Sequence, residues 1–137
     1  MSNNSTGANT IKSQWVRDIA REYGVTYCGI QEHFKTVKST NNWFKKQFRS
    51  FHTYVIPAYR LPGVDNGRGK GGLAQLSSRD FSKQRMRVAT KSPRLQAQIL
   101  SFPTCEILWI NCYFPCDPRL QHFDLDDTEL KGVLNEI

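Results

Sequence analysis

The stretch Val25-Thr26-Tyr27-Cys28-Gly29-Ile30-Gln31-Glu32-His33 decides how the chain is read. Its first six residues form a short β-prone run, which ends on three polar residues, one of them an acid. Upstream, Ile11 to Tyr23 reads as an amphipathic helix. Ile11, Trp15 and Ile19 recur at i, i+4 and i+8, with Val16, Ala20 and Tyr23 widening the stripe. Lys12, Arg17, Asp18, Arg21 and Glu22 take the other face, and Gly24 stops the helix. A helix, a buried strand and a carboxylate at the strand's C-terminal end is the order in which α/β folds place their chemistry.

Working downstream, residues 41–49 are predicted helical, with Asn41 or Asn42 as N-cap and Trp43, Phe44 and Phe48 turned inward. Tyr54 to Tyr59 is expected as a strand near a sheet edge, because Pro57 has no amide proton for a ladder. Leu61 to Gly72 (LPGVDNGRGKGG) reads as a mobile basic loop. Its Gly67, Gly69 and Gly72 match G-x-G-x-x-G in form, but a strand follows them instead of the helix whose N-terminus would hold a pyrophosphate. Four strands are then expected: Gly72 to Ser77, Arg85 to Thr90, Leu95 to Phe102 and Glu106 to Phe114. Arg85, Arg87 and Lys91 alternate with Met86, Val88 and Thr90, which predicts a half-exposed strand with a cationic face. Glu106 to Ile110 is more continuously apolar and is expected to be central. Asp126 to Ile137 is predicted to be a helix, with Leu130, Val133, Leu134 and Ile137 along one side. This order favours an α/β (α+β) arrangement with a mixed, largely antiparallel sheet over a βαβ series.

The 137 residues carry a formal charge of +7, unevenly spread. Residues 1–94 hold 17 Lys/Arg and 5 Asp/Glu, whereas residues 95–137 hold 2 and 7. A basic body attracts polyanions such as DNA or RNA, although many domains are modestly basic without binding either. Nothing approaches the roughly 18 consecutive apolar residues of a membrane span, and the start lacks the layout of a signal peptide. The expectation is an intracellular protein, the nucleus being one candidate location, with reduced thiols at Cys28, Cys105, Cys112 and Cys116. A metal site of Cys112, Cys116 and His122 fits no CxxC spacing.

Two further spots carry chemistry. Glu32 ends a buried strand and offers oxygens of the kind hard Mg²⁺ takes, though it reads equally well as a carboxylate paired with Lys or Arg. Tyr113, in Asn111-Cys112-Tyr113-Phe114-Pro115, is placed to aim its hydroxyl at a phosphate, or to stand as a half-buried aromatic with a wet tip.

In sequence order, Asn4-x-x-Gly7, an amphipathic helix, Ile30-Gln31-Glu32, the strand from Gly72, and Ile110-Asn111-x-Tyr113-x-Pro115 resemble the endonuclease/exonuclease/phosphatase family. The resemblance is strongest to the endonuclease domains of LINE-type (non-LTR) retrotransposons, relatives of the apurinic/apyrimidinic endonucleases. It implies a partial DNase-I-like four-layer α/β/β/α sandwich. Residues 1–10 would form a flexible N-terminus with the remnant of a first strand, and residues 11–137 a truncated domain. It implies Mg²⁺, with Mn²⁺ as a substitute, held by Glu32, with Gln31 beside it. Asn4 would organise the metal and phosphate network, and Tyr113 would touch the scissile phosphate. Arg68, Lys70, Arg85, Arg87 and Asn111 are the candidate phosphate- or nucleic-acid-binding residues. DNA is the implied partner, with no membrane and no small-molecule cofactor, and in the family a reverse transcriptase follows downstream. Position 33, usually Thr in the family, is His here and is given no role. The family's Gly-Asp-x-Asn and Ser-Asp-His motifs do not occur, so the expectation is a catalytically incomplete fragment. Two alternatives stand beside it: a non-catalytic basic nucleic-acid-binding module, and a phosphatase of the same superfamily.

Overall fold

The computed structural model describes residues 2–4 (backbone path only), 8–36, 40–60, 62–63, 69–80, 84–113 and 135. The predicted helix from Asp126 to Ile137 therefore lies outside the described residues, apart from one position.

Asn9 opens α1 (Thr10–Glu22) by accepting from the Lys12 amide at 2.8 Å, which satisfies one orphan donor of the first turn. The helical period matches expectation, but its phase differs. Ser13, Val16 and Ala20 face the core, while Ile11 is 81% and Trp15 56% exposed. Ser13 fixes this rotation: its hydroxyl bonds Gln47 of α2 (Thr40–Gln47), and Arg17 grips the same residue at its backbone carbonyl, 2.7 Å away. Helix α2 starts at Thr40, ahead of the expected Asn caps, and buries Phe44, with Phe48 just beyond its end.

Among the described residues, four strands form the first sheet: β1 (Ser2–Asn4), β2 (Tyr27–Gln31), β3 (Phe51–Ile56) and β4 (Leu73–Ser78), in the order β1-β2-β4-β3. β1 runs parallel to β2, and the other pairs are antiparallel. Among the described residues β3 lies at the sheet edge, but it runs three residues earlier than expected at both ends, so Pro57 follows the strand and does not sit in its ladder. Cys28, Ile30, Ala74 and Leu76 point from this sheet at Val16, Phe44 and Phe48 and make the apolar core.

The second sheet is antiparallel, in the order β5 (Gln84–Val88), β6 (Leu95–Ser101), β7 (Glu106–Cys112). Its central strand among the described residues is β6, which corrects the expectation for β7. The run Ile107 to Ile110 is apolar because both of its faces are: Trp109 packs edge-on against Tyr27 of the first sheet, while Leu108 turns outward. The helices cover one face of the first sheet and the second sheet covers the other, so three layers of the implied four are on view.

Between the sheets lies a polar seam. Gln98 donates to the Gln75 side-chain oxygen at 2.9 Å, and Gln75 donates to the Trp109 carbonyl at 3.0 Å. Gln96 reaches the Tyr54 carbonyl at 2.8 Å. All three side chains are buried, and each amide finds a partner, as burial without water requires.

Candidate active-site edge

The C-terminal ends of β1, β2 and β7 meet at one edge of the sandwich. Asn4 stands beside Gln31 in the β1–β2 register. Gln31 in turn donates to the Cys112 carbonyl at 2.7 Å and so ties β2 to the end of β7. Glu32 follows directly. Its backbone adopts φ 54°, and Phe34, two residues on, has φ 58°. Left-handed backbone at a non-glycine residue costs about 1–3 kcal/mol and persists only where neighbours over-determine it.

The neighbours that do so centre on His33. Its carbonyl accepts from Ala8 at 3.1 Å, and Phe34 donates to the Gly71 carbonyl at 3.0 Å. The imidazole is 1% exposed and lies edge-on to Phe44, 5.0 Å between centroids. Nδ1 accepts from the Lys35 amide, 3.1 Å, so Nε2 carries the proton and donates to the Ile56 carbonyl, 3.0 Å. Burial first, and the Lys35 charge after it, hold its pKa down to about 4. His33 is thus a neutral anchor, and the segment between β2 and α2 hangs from it. Gly72 leaves it room: with φ +93°, a Cβ there would come within 2.6 Å of the ring. Among the described residues, the Glu32 carboxylate, half-buried at this lip, has no ion pair or hydrogen bond.

Tyr113 stands at the same edge, its amide bonded to the Arg94 carbonyl at 3.0 Å. The Arg94 guanidinium lies over two rings, Tyr113 at 5.6 Å and Tyr59 at 5.8 Å, and donates to the Tyr59 hydroxyl at 2.8 Å. Tyr59 pairs through its backbone with Lys70. In the sequence Arg94 is only one basic residue among many. Its significance comes from the fold, which seats it between two tyrosines beside the carboxylate-bearing lip.

The remaining candidates separate. Asn111, beside Cys112 on β7, accepts from the Gln31 amide at 3.4 Å. It is 5% exposed, and its amide points at the Ile30 and Ala74 carbonyls and the Gln96 side chain, 3.2–3.4 Å away. Gly29 makes this possible, since a Cβ there would stand 3.2 Å from Asn111 Oδ1. A residue held this way orients β7, with its amide hydrogens directed at these acceptors. Arg85 and Arg87 point from β5 towards the first sheet, at the side of the sandwich and not at this edge. Arg68, Pro115, Cys116, His122 and the side chain of Asn4 lie outside the described residues.

This architecture has a solved counterpart. An AP endonuclease from Leishmania major superposes with a TM-score of 0.69 at 13% sequence identity, over 98% of this chain and 47% of that one. The fold is DNase-I-like. The chain spans about half the length of that enzyme. No family model matches the sequence, and no curated protein matches it. No helix among the described residues is long and apolar enough to cross a membrane.

The donor chemistry of the DNase-I-like edge can be tested against a cation. Among the described residues, no three His, Cys, Asp or Glu side chains converge. A single carboxylate at a polar lip does fit Mg²⁺, which is held by one or two carboxylates and keeps most of its waters for a phosphate to replace. Cys28 is no alternative ligand, because burial pushes its thiol up to about 11.

Proposed function

We propose that this chain carries the metal- and phosphate-binding part of a Mg²⁺-dependent DNA endonuclease, of the kind that nicks target DNA for a non-LTR retrotransposon. The observation that supports it most is the strained lip: Glu32 at φ 54° between two backbone-anchored neighbours, with no protein partner for its carboxylate among the described residues. A fold that keeps such strain beside an unpaired acid is holding the acid for something else. Glu32 would hold the cation, which when bound neutralises charge developing on the phosphoryl oxygens. Tyr113 would contact the phosphate, and Lys70 and Arg94 would supply fixed positive charge along the DNA path. The likeness to an AP endonuclease adds DNA as the substrate class.

The sequence contains no Gly-Asp-x-Asn and no Ser-Asp-His to orient and deprotonate the attacking water. Losing such a group costs about 10²–10⁴-fold in rate, so binding is the sharper measurement. A labelled duplex, with and without an abasic site, is titrated in EDTA and in Mg²⁺. The expected result is tighter binding in Mg²⁺, lost in Glu32→Gln. Any plasmid nicking by the wild-type chain should follow the same two conditions. Equal affinity with and without Mg²⁺, or a gain that survives Glu32→Gln, removes the cation from position 32 and the reading with it.

A further inference from the structure

The edge strands β3 and β5 flank an open cleft of about 370 Å³ at the side of the sandwich, while packing between the sheets runs through β2, β4, β6 and β7. His52 and Tyr54 enter the cleft from β3, Arg85 and Arg87 from β5, Arg79 from the turn after β4, and Lys45 from α2. No carboxylate is among the described residues that line it. Asp80, next in the chain to Arg79, lines a different groove together with Arg17 and Arg21. Arg87 lies over the Tyr54 ring at 4.6 Å. Burial, then the Arg79 charge, lowers the Arg85 pKa, and burial, then Arg85 and Arg79, lowers that of His52. The cations therefore feel one another across partly desolvated space, an arrangement that a bound anion relieves.

The cleft is separate from the active-site edge. Gln31, Leu73 and Ile56 stand in register at that edge. His52 lies four residues back along β3, about 13 Å at the strand rise, and two strands over from β2, about 10 Å. We infer that this cleft binds the phosphate backbone of a single nucleic-acid strand, as a second site independent of Glu32. Its volume is that of a small-molecule pocket, enough for roughly one or two nucleotides. Arginines interleaved with aromatic faces are how single strands are held without regard to sequence.

The test uses the whole chain in EDTA, so that the cation expected at Glu32 plays no part. A fluorescent oligothymidylate is followed by anisotropy as salt is raised. Arg85→Ala combined with Arg87→Ala should weaken binding about tenfold at low salt and reduce the salt slope by roughly 0.7 for each phosphate left without its cation. The Arg85→Lys/Arg87→Lys pair should keep most of the affinity, which separates a missing charge from a failure to fold. Arg21→Ala, on the far helix, should bind like wild type. Unlabelled single strand should compete far better than pyrophosphate or duplex of equal phosphate concentration. Unchanged affinity in the double alanine variant overturns the site. Equal competition by pyrophosphate overturns the strand as its ligand, and preference for duplex does the same.

Discussion

His33 is the residue through which the lip is held, and its protonation state has a measurable consequence. The neutral ring fits because Nδ1 faces an amide donor and Nε2 a carbonyl acceptor. Protonation would turn Nδ1 into a second donor against the Lys35 amide, inside a buried site. The folded pKa of about 4 lies below the ordinary 6.5, so the unfolded chain takes up the proton first. Its contribution is fully present above pH 6.5 and is lost as pH falls towards 4, with an upper bound of about 3 kcal/mol. The window between pH 6.5 and 5 is diagnostic, since most carboxylates titrate below it. His52 is shifted the same way but is far less buried, so its share is smaller. The Tm of the wild-type chain should fall across that window, while His33→Gln should start lower and stay flatter. Parallel slopes would mean that His33 is not buried neutral. Nothing local to position 33 hints at this anchor, because the imidazole's surroundings come from Ile56, Phe44 and Gly72, each distant along the chain.

Elements were legible where one segment settles its own structure, and illegible where two segments must meet. Leu95 to Phe102 reads as a strand and is one, to within a residue at its end. Its alternation says that Gln96 and Gln98 share a face, but not that this face looks at another sheet. Helix α1 behaves alike: the 3.6-residue period is in the sequence, whereas the rotation that exposes Ile11 and Trp15 is set by Ser13 and Arg17 on Gln47. At the candidate edge, the sequence puts Glu32 and Tyr113 at strand ends, and the structure brings those two ends together through Gln31 and Cys112. Asn111 could not be assigned, because nothing local shows that Gly29 opens a space for it. The glutamine seam offers a test at this scale. Gln98→Leu strands the Gln75 oxygen in a dry interface and should cost about 1–3 kcal/mol in urea unfolding. Adding Gln75→Leu removes the stranded acceptor, leaving the Trp109 carbonyl short of one donor. The pair should therefore destabilise by clearly less than the sum of the singles. Strict additivity would show that the two amides do not meet.

At the scale of the whole molecule, the question is which face of the second sheet belongs to the interior. Polarity cannot answer it, since the inward face carries Arg85, Arg87, Gln96, Gln98 and Asn111, while Met86 and Leu108 lie on the outward one, 59% and 58% exposed. An inward face that sets arginine, glutamine and asparagine beside Leu100 and Trp109 partly inverts the usual pattern. That inversion is why the alternation of β5 reads as a cationic face towards solvent. What fixes the orientation is the hydrogen-bond inventory: each inward glutamine has an acceptor on the first sheet or on a neighbour within the seam. Two leucines of adjacent strands turn this into an experiment. Leu100 of β6 points inward and is 2% exposed, so Leu100→Ala should cost about 2–5 kcal/mol. Leu108 of β7 points outward, so Leu108→Ala should stay within about 0.5 kcal/mol of wild type. Both are the same chemical change in the same sheet, one register position apart in the β6–β7 ladder. If the two costs were equal, or reversed, the sheet would be packed by its other face. Arg85 and Arg87 would then leave the cleft, and Gln31 would lose its hold on Cys112.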